Sequence, residues 1–578
     1  MVLKGTPVSP GIAIGKLYCY QPVHIEVSEG FCGAGEAEAQ IARFEEVKGE
    51  AAKEIEAIRA ALEALGDPEK AKIFTAHLDI LDDVAITEEI LQGIQEENWT
   101  GDWAIQKIYA KFERMIRKAK DPLIRERAAD FDDVRKRLIR RWYGVQEKGL
   151  GALTEPVIVA ARDLLPSDTA SLDRKKVLAI LTEVGGTTSH SAIIARSYEI
   201  PAILGIPDLM SQVRQDQSAA VDAGAGELIL EPAPDTVKAY ELKREEFRRE
   251  AAETREFLGA EARTACGIRI DIGLNIGGAD EQELAGEAVT DLVGLFRTEF
   301  LYMGRDSLPD EDEQFAVYKK VLQRYGGRPV TLRTLDIGGD KTLSSMNLPR
   351  EDNPVLGNRA LRLCFTYPEV FKTQLRAALR ASVFGSLWLM LPMVGSIDDI
   401  RRATAFITEV KDELDAEGAA YDPHFKTGIM VEIPSIAVVA DLAAKEVDFA
   451  SIGTNDLCQY LTAVDRMNPR TAQYYQPYHP AMFRLIGNVV EQFNRAGKPI
   501  CVCGEMGGDA LAAPVLVGLG MRKLSMGLAS VARIKRLLSS LTVEKAEQLA
   551  AAVINLSTAP EVEHYLRTNL RNETRQGA

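Results

Sequence analysis

The sequence predicts a multidomain α/β protein: a β/α domain interrupted by an inserted α-helical bundle, then a linker helix, then a C-terminal (β/α)8 barrel of the TIM type. Three observations carry this. A chain of 578 residues exceeds what one hydrophobic core supports, so it divides into several domains. Residues 33–146 have helical periodicity almost throughout, with short strand-like segments on either side. From residue 263 onward, eight apolar segments alternate with helical ones, which suits a barrel better than an open sheet.

The elements follow in chain order. Residues 1–25 read as short strands separated by turn glycines. The helical stretch is punctuated at Gly66-Asp67-Pro68, Thr100-Gly101-Asp102 and Asp121-Pro122, where capping residues precede or open new helices. The segments PVIVAA, KKVLAILTE, PAILG, AAVDA and ELILEP then alternate with a helix, SAIIARSYE. They form a β/α domain over 147–234 that the opening strands of 1–32 complete, so the helices of 33–146 are an insertion into it. Residues 235–262 are charged with little apolar face and read as a solvated linker helix. The domain over 263–578 carries strand candidates at 269–276, 292–299, 329–336, 386–394, 427–434, 449–456, 499–505 and 523–527.

Composition narrows the function. No apolar run reaches the roughly 20 residues that span a bilayer, and the first residues lack the continuous apolar segment of a signal peptide, so membrane insertion is not expected and a cytoplasmic location is. The seven cysteines are scattered, and the close pair Cys501 and Cys503 lacks the further ligands of a zinc site. A formal charge of −16 disfavours nucleic acid and favours a basic protein partner. Nine of the acids fall between residues 67 and 97, against two lysines there, and His77 lies among them.

One histidine has suggestive neighbours. In GGTTSHSAIIAR, Gly185 and Gly186 permit a tight turn, Thr187, Thr188 and Ser189 can cap a helix, and His190 stands in its first turn. Free backbone N–H groups at such an end attract anions and keep an imidazole neutral and nucleophilic. Alone, the motif is equally a helix-start histidine satisfied by hydrogen bonds.

The barrel supplies a second constellation. Asn275, Arg297, Arg333, Glu432, Asn455, Asp456 and Cys503 fall at the C-terminal ends of candidate strands, where barrel active sites are built. Arg297, Arg333 and Arg466, with Arg359 as a fourth, suit a small dianion because guanidinium forks match phosphate and carboxylate oxygens. Glu432 and Asp456 offer the few carboxylates Mg²⁺ prefers, or else cap strand ends and pair with those arginines. A thiol at Cys503 can protonate a carbon nucleophile such as an enolate; Cys501, one pleat deeper, reads as a small hydrophobe.

Together GGxTSH, LFRTEFL, RTLDIGGDK, GIMVEIPS, SIGTNDLxQYLTAVDRMN and CGEMGGD resemble Enzyme I of the bacterial phosphoenolpyruvate:sugar phosphotransferase system, over the whole chain. The resemblance implies a swivelling domain whose His190 becomes a phosphohistidine and hands the group to HPr, a small histidine phosphocarrier docked on the helical insertion. It implies that Arg297, Arg333, Asn455, Asp456 and Arg466 bind phosphoenolpyruvate, that Glu432 and Asp456 hold Mg²⁺, that Cys503 protonates enolpyruvate, and that the barrel forms a homodimer. Thr187 departs from the family pattern, which carries Arg or Lys there. A pyruvate phosphate dikinase or phosphoenolpyruvate synthase would need an ATP-binding domain ahead of GGTTSH, where this chain has helices without a Gly-rich loop. A catalytically inactive regulatory protein of the same fold would not need the full set of arginines, carboxylates, Cys503 and His190.

Overall fold

The computed structural model describes the chain except residues 22–24, 34, 65–67, 118–126, 146–149, 151–152, 165–167, 169–171, 174, 187–188, 199, 282, 304, 306, 340–345, 347, 350, 467, 469 and 575–578. It divides into two compact units, residues 1–250 and 251–578.

In the first unit, strands β1 (Val2–Lys4), β2 (Thr6–Ser9), β3 (Ile12–Tyr20), β4 (Val157–Ala161), β5 (Val177–Thr182), β6 (Ala202–Leu204), β7 (Ser218–Asp222) and β8 (Glu227–Leu230) join in one sheet, ordered β1-β8-β7-β3-β4-β5-β6-β2. β3, β4, β5 and β6 run parallel, and the remaining pairs are antiparallel. The central strand β4 is buried along its whole length, as a strand covered on both faces must be. One face packs Leu17, Ile158, Leu181 and Leu209; the other packs Val159, Ile180, Ala192 and Ala195.

Between β3 and β4 in sequence lie helices α1 (Ala37–Ala64), α2 (Pro68–Leu81), α3 (Val84–Glu96), α4 (Gly101–Arg117) and α5 (Ala128–Trp142). Their shared core holds Val47, Phe74, Ile90, Ile105 and Leu138, each contributing about 1.5–3 kcal/mol by leaving water. His77 is fully buried within this bundle rather than facing its acidic end: Nε2 lies 3.3 Å from Asp130 Oδ1, and the ring packs edge-on against Phe74. The apolar period of α2 turns this face inward, while Asp79 is exposed. After α6 (His190–Ser197), the charged helix α7 (Pro234–Glu256) follows the sheet, with Tyr240 buried and Leu242 and Phe247 exposed.

The second unit is a closed barrel of eight parallel strands: β9 (Asp271–Ile276), β10 (Leu292–Arg297), β11 (Val330–Arg333), β12 (Leu387–Leu391), β13 (Lys426–Val431), β14 (Phe449–Ile452), β15 (Ile500–Val502) and β16 (Lys523–Met526). Each pairs with its sequence neighbour, and β16 closes on β9. Seven strands fall within their expected segments, and β13 begins one residue ahead of its own, at Lys426. Apolar runs made them visible, because a strand enclosed by barrel and helices has no solvent face.

The barrel interior holds Leu295, Trp388, Met390, Met430, Phe449 and Cys503. Ser525 enters this space only because two neighbours are glycines. A Cβ on Gly294 would stand 2.2 Å from its Oγ, and one on Gly273 would stand 2.8 Å away. Gly294→Ala is therefore expected to destabilise the protein by about 1–3 kcal/mol through overpacking, read as a lower urea midpoint at unchanged slope.

Candidate active site

In the first unit, the turn before His190 is built as its glycines require. Gly185 has φ +115°, a region that disfavours side chains, and a Cβ there would crowd Ser189. Ser189 is the N-cap of α6: its hydroxyl accepts from the Ala192 N–H at 3.3 Å and donates to the Gly186 carbonyl at 2.9 Å. Ala192 and Ala195 press the helix on the sheet, and Ser191 donates to the Leu164 carbonyl at 3.4 Å. His190 thus occupies the first helical position, the end of a helix whose backbone N–H groups and dipole favour negative charge. Its side chain, Thr187 and Thr188 lie outside the described residues.

At the C-terminal rim of the barrel, two buried guanidiniums share one carboxylate. Arg333, at the end of β11, bonds Glu299 Oε1 at 2.6 Å and Asp336 Oδ2 at 2.9 Å. Arg359 bonds the other Asp336 oxygen at 2.9 Å and reaches Asp456 at 3.5 Å. Burial opposes both charges, yet the surrounding carboxylates outweigh it and hold both guanidiniums above their ordinary range. Glu432 follows β13 and is 1% exposed; its Oε1 accepts from the Met393 N–H at 2.6 Å. Asp456 sits not at a strand end but in the first turn of α8 (Thr454–Leu461), with β14 ending earlier at Ile452.

Two strained residues hold this cluster. Met393, whose N–H binds Glu432, has φ +54°, and Ala360, next to Arg359, has φ +50°. Non-glycine residues stay there only when their surroundings over-determine the backbone, which is common at active sites. Two glycines leave room for the functional groups. A Cβ on Gly453 would lie 3.0 Å from Glu432 Oε2, and one on Gly504 would lie 1.9 Å from Thr454 Oγ1.

Beside the cluster opens a cleft of about 510 Å³ lined by Asn275, Arg297, Thr454, Asn455, Gly504 and Arg533, among others. Arg466 lies in the loop after α8, its N–H held by Gln459 Oε1 at 3.0 Å; Gln459 in turn donates to Asp456 at 3.4 Å. Cys503 directly follows β15 and is 2% exposed. Desolvation pushes its thiol up to about 11, while Arg333 and Arg297 pull the other way. The thiol therefore keeps its proton at neutral pH.

Family models cover nearly the whole chain: a phosphoenolpyruvate-utilising enzyme's N-terminal domain over 4–127, its mobile domain over 153–226 and its phosphoenolpyruvate-binding domain over 251–543. The phosphoenolpyruvate-protein phosphotransferase of a Bacillus strain is 43% identical over 98% of this chain and 97% of its own. That of Geobacillus stearothermophilus is likewise 43% identical over 98% and 97%, and that of Bacillus subtilis is 42% identical over 98% and 100%. The chain belongs to the phosphoenolpyruvate-protein phosphotransferase family.

The rim of this phosphotransferase-family enzyme also fits the divalent cation that phosphoenolpyruvate-utilising enzymes generally need. Four carboxylates (Glu299, Asp336, Glu432, Asp456) gather about the two buried guanidiniums of Arg333 and Arg359. Among the described residues no group of three ligating side chains forms a protein-only cage, so a hard cation here draws its remaining oxygens from elsewhere. Asp336 and Glu299 carry no role in the sequence reading. The signal for Asp336 was its place three residues after Arg333 in RTLDIGGDK.

Burial first, then Asp456 and Asp336, raise the Glu432 carboxyl to about 8. The folded state then holds a proton that the unfolded chain releases near 4.5, so this contribution to stability is present below 4.5 and lost as pH rises through about 8. In metal-free protein, denaturant unfolding should show stability falling over that window. Glu432→Gln should flatten the fall, and a saturating divalent cation should oppose it by binding the ionised form.

Proposed function

We propose that this enzyme transfers the phosphoryl group of phosphoenolpyruvate to His190 and then to a histidine of HPr, releasing pyruvate, as the first step of sugar uptake by the phosphotransferase system. The observation that carries the reading is the rim cluster. Buried arginines, carboxylates and a protonated thiol converge beside one cleft, in a chain whose other unit presents a capped helix start at His190.

Each side chain has a task in this reading. Arg297, Arg333, Asn455 and Arg466 bind the phosphate and carboxylate of phosphoenolpyruvate, with Asp456 contributing from α8. Asp336 and Glu299 fix the Arg333 fork, so little rotational freedom is lost when substrate arrives. Glu432 and Asp456 hold Mg²⁺, which when bound polarises the phosphate and offsets charge during transfer. His190 attacks phosphorus with a neutral ring nitrogen, Nε2 by the family resemblance, while the dipole at the N-terminus of α6 favours the anionic product. Cys503 then gives its proton to the methylene carbon of enolpyruvate.

HPr docks on the helical segment 33–146. Asp79, Asp82, Asp83, Glu88, Glu96 and Glu97 are exposed there, and Val84 is an exposed apolar side chain among them. Such a surface steers a basic partner and gives it an apolar contact. Residues 1–32 with 147–234 act as the swivelling phosphohistidine domain, 235–262 as its linker, and 263–578 as the phosphoenolpyruvate-binding and dimerisation domain. Exposed Leu356, Val438 and Leu442 on the barrel unit suit a homodimer contact. No described helix is long and apolar enough to cross a membrane, which accords with work in the cytoplasm.

The test is direct. With labelled phosphoenolpyruvate and Mg²⁺, the wild type should gain an acid-labile, base-stable label and His190→Ala should gain none. No label in either protein defeats the proposal. Arg333→Lys should keep the charge but lose the fork, lowering kcat/KM by on the order of 10²-fold in the same assay.

A further inference from the structure

Asn275 and Ser525 meet at the rim without a place in the scheme above. Asn275 Nδ2 donates to the Cys503 carbonyl at 3.0 Å, and Ser525 Oγ donates to Asn275 Oδ1 at 2.6 Å. The reach is unusual. Asn275 belongs to β9 and Cys503 follows β15, with β16 standing between them in the barrel. A carbonyl can only accept, so the bond to Cys503 decides which end of the amide faces it and leaves Oδ1 for the serine hydroxyl. Ser525 is itself held in the space left by Gly273 and Gly294.

The consequence falls on Cys503. Its N–H donates to the Ile452 carbonyl at 3.1 Å, so β14 holds one peptide plane and Asn275 holds the other. Fixing both planes fixes the direction in which the Cα–Cβ bond carries the thiol. That thiol is buried and donates to the Ile452 carbonyl at 3.6 Å, and it packs in one cluster with Met430, to whose sulfur Arg333 donates at 3.6 Å, which sets it beside the dianion cluster. An ordinary ladder partner would fix the strand equally well; a side-chain amide reaching across a strand, supported by a hydroxyl that costs two glycines, serves this one residue.

We propose that Asn275, held by Ser525, is a positioning residue that aims the Cys503 thiol at one face of the enolate left when the phosphoryl group departs. The inference rests on Cys503 being the acid. In that step the enolate's carbon–carbon π pair forms a new C–H bond at the methylene carbon. The S–H bond breaks, the ketone C=O of pyruvate is restored, and the thiolate recovers its proton from water. A thiol fixed in direction protonates one face, whereas a loosely held thiol, or solvent, protonates both.

The full chain, with Mg²⁺ and a histidine phosphocarrier as acceptor, is given phosphoenolpyruvate stereospecifically deuterated at C3 in tritiated water. Pyruvate is trapped at once as lactate and its methyl configuration determined. The wild type should give one configuration. Asn275→Asp sets a carboxylate oxygen against the Cys503 carbonyl; it should lower kcat by on the order of 10²-fold, leave KM near its wild-type value and give largely racemic methyl groups. Ser525→Ala should lie between the two and carries the test if Asn275→Asp does not accumulate folded. One configuration from these variants, or a raised KM without racemisation, overturns the positioning role. One configuration from Cys503→Ala at the wild-type rate overturns instead the assignment of the acid.

Discussion

The carboxylate of Asp336, shared between Arg333 and Arg359, is the interaction on which the barrel rim depends. Guanidiniums cannot shed their charge, so burying two of them is tolerable only where carboxylates accept their hydrogen bonds. Asp336 gives one oxygen to each, and Glu299 and Asp456 take further directions. Removing one member of such a set leaves an uncompensated buried charge, a loss of about 3–5 kcal/mol. The same bonds that make the charges tolerable also hold the arginine forks in place, so stability and substrate positioning are two results of one arrangement.

The cluster also explains why the rim is poised for a cation. Its carboxylates outnumber its buried arginines, and Glu432 answers by holding a proton to unusually high pH. A divalent ion relieves the same repulsion more completely, because it brings two charges to oxygens already desolvated. The strained backbone at Met393 and Ala360 belongs to this account. Met393 turns its N–H to Glu432, and Ala360 follows Arg359, so the packing of the barrel bears a conformational cost exactly where charged groups must be aimed.

The fold was legible in the sequence for a physical reason. Barrel strands are covered on both sides, so each appears as a mostly apolar segment, and all eight expected segments overlap an observed strand. The helices between β3 and β4 showed their period because one face is buried and the other wet. Individual partners were less visible. Asp336 lies inside a motif that had been read for its arginine, and the exact element bearing Asp456 depends on where β14 stops and α8 starts. His77 looked like part of an acidic surface, whereas its ring is buried against Phe74 and bonded to Asp130, 53 residues away in sequence.

The sequence by itself determined the order of domains, the helix start at His190, the barrel and the chemical types at its rim, because periodicity, capping and motif spacing are local properties. Only the tertiary structure decided which charges share a partner, which backbone is strained to aim them, and that Asn275 reaches across β16 to hold Cys503. Those facts depend on closure of the barrel, which brings β9 to β16 across some 250 residues and gives a side chain neighbours that no local pattern encodes.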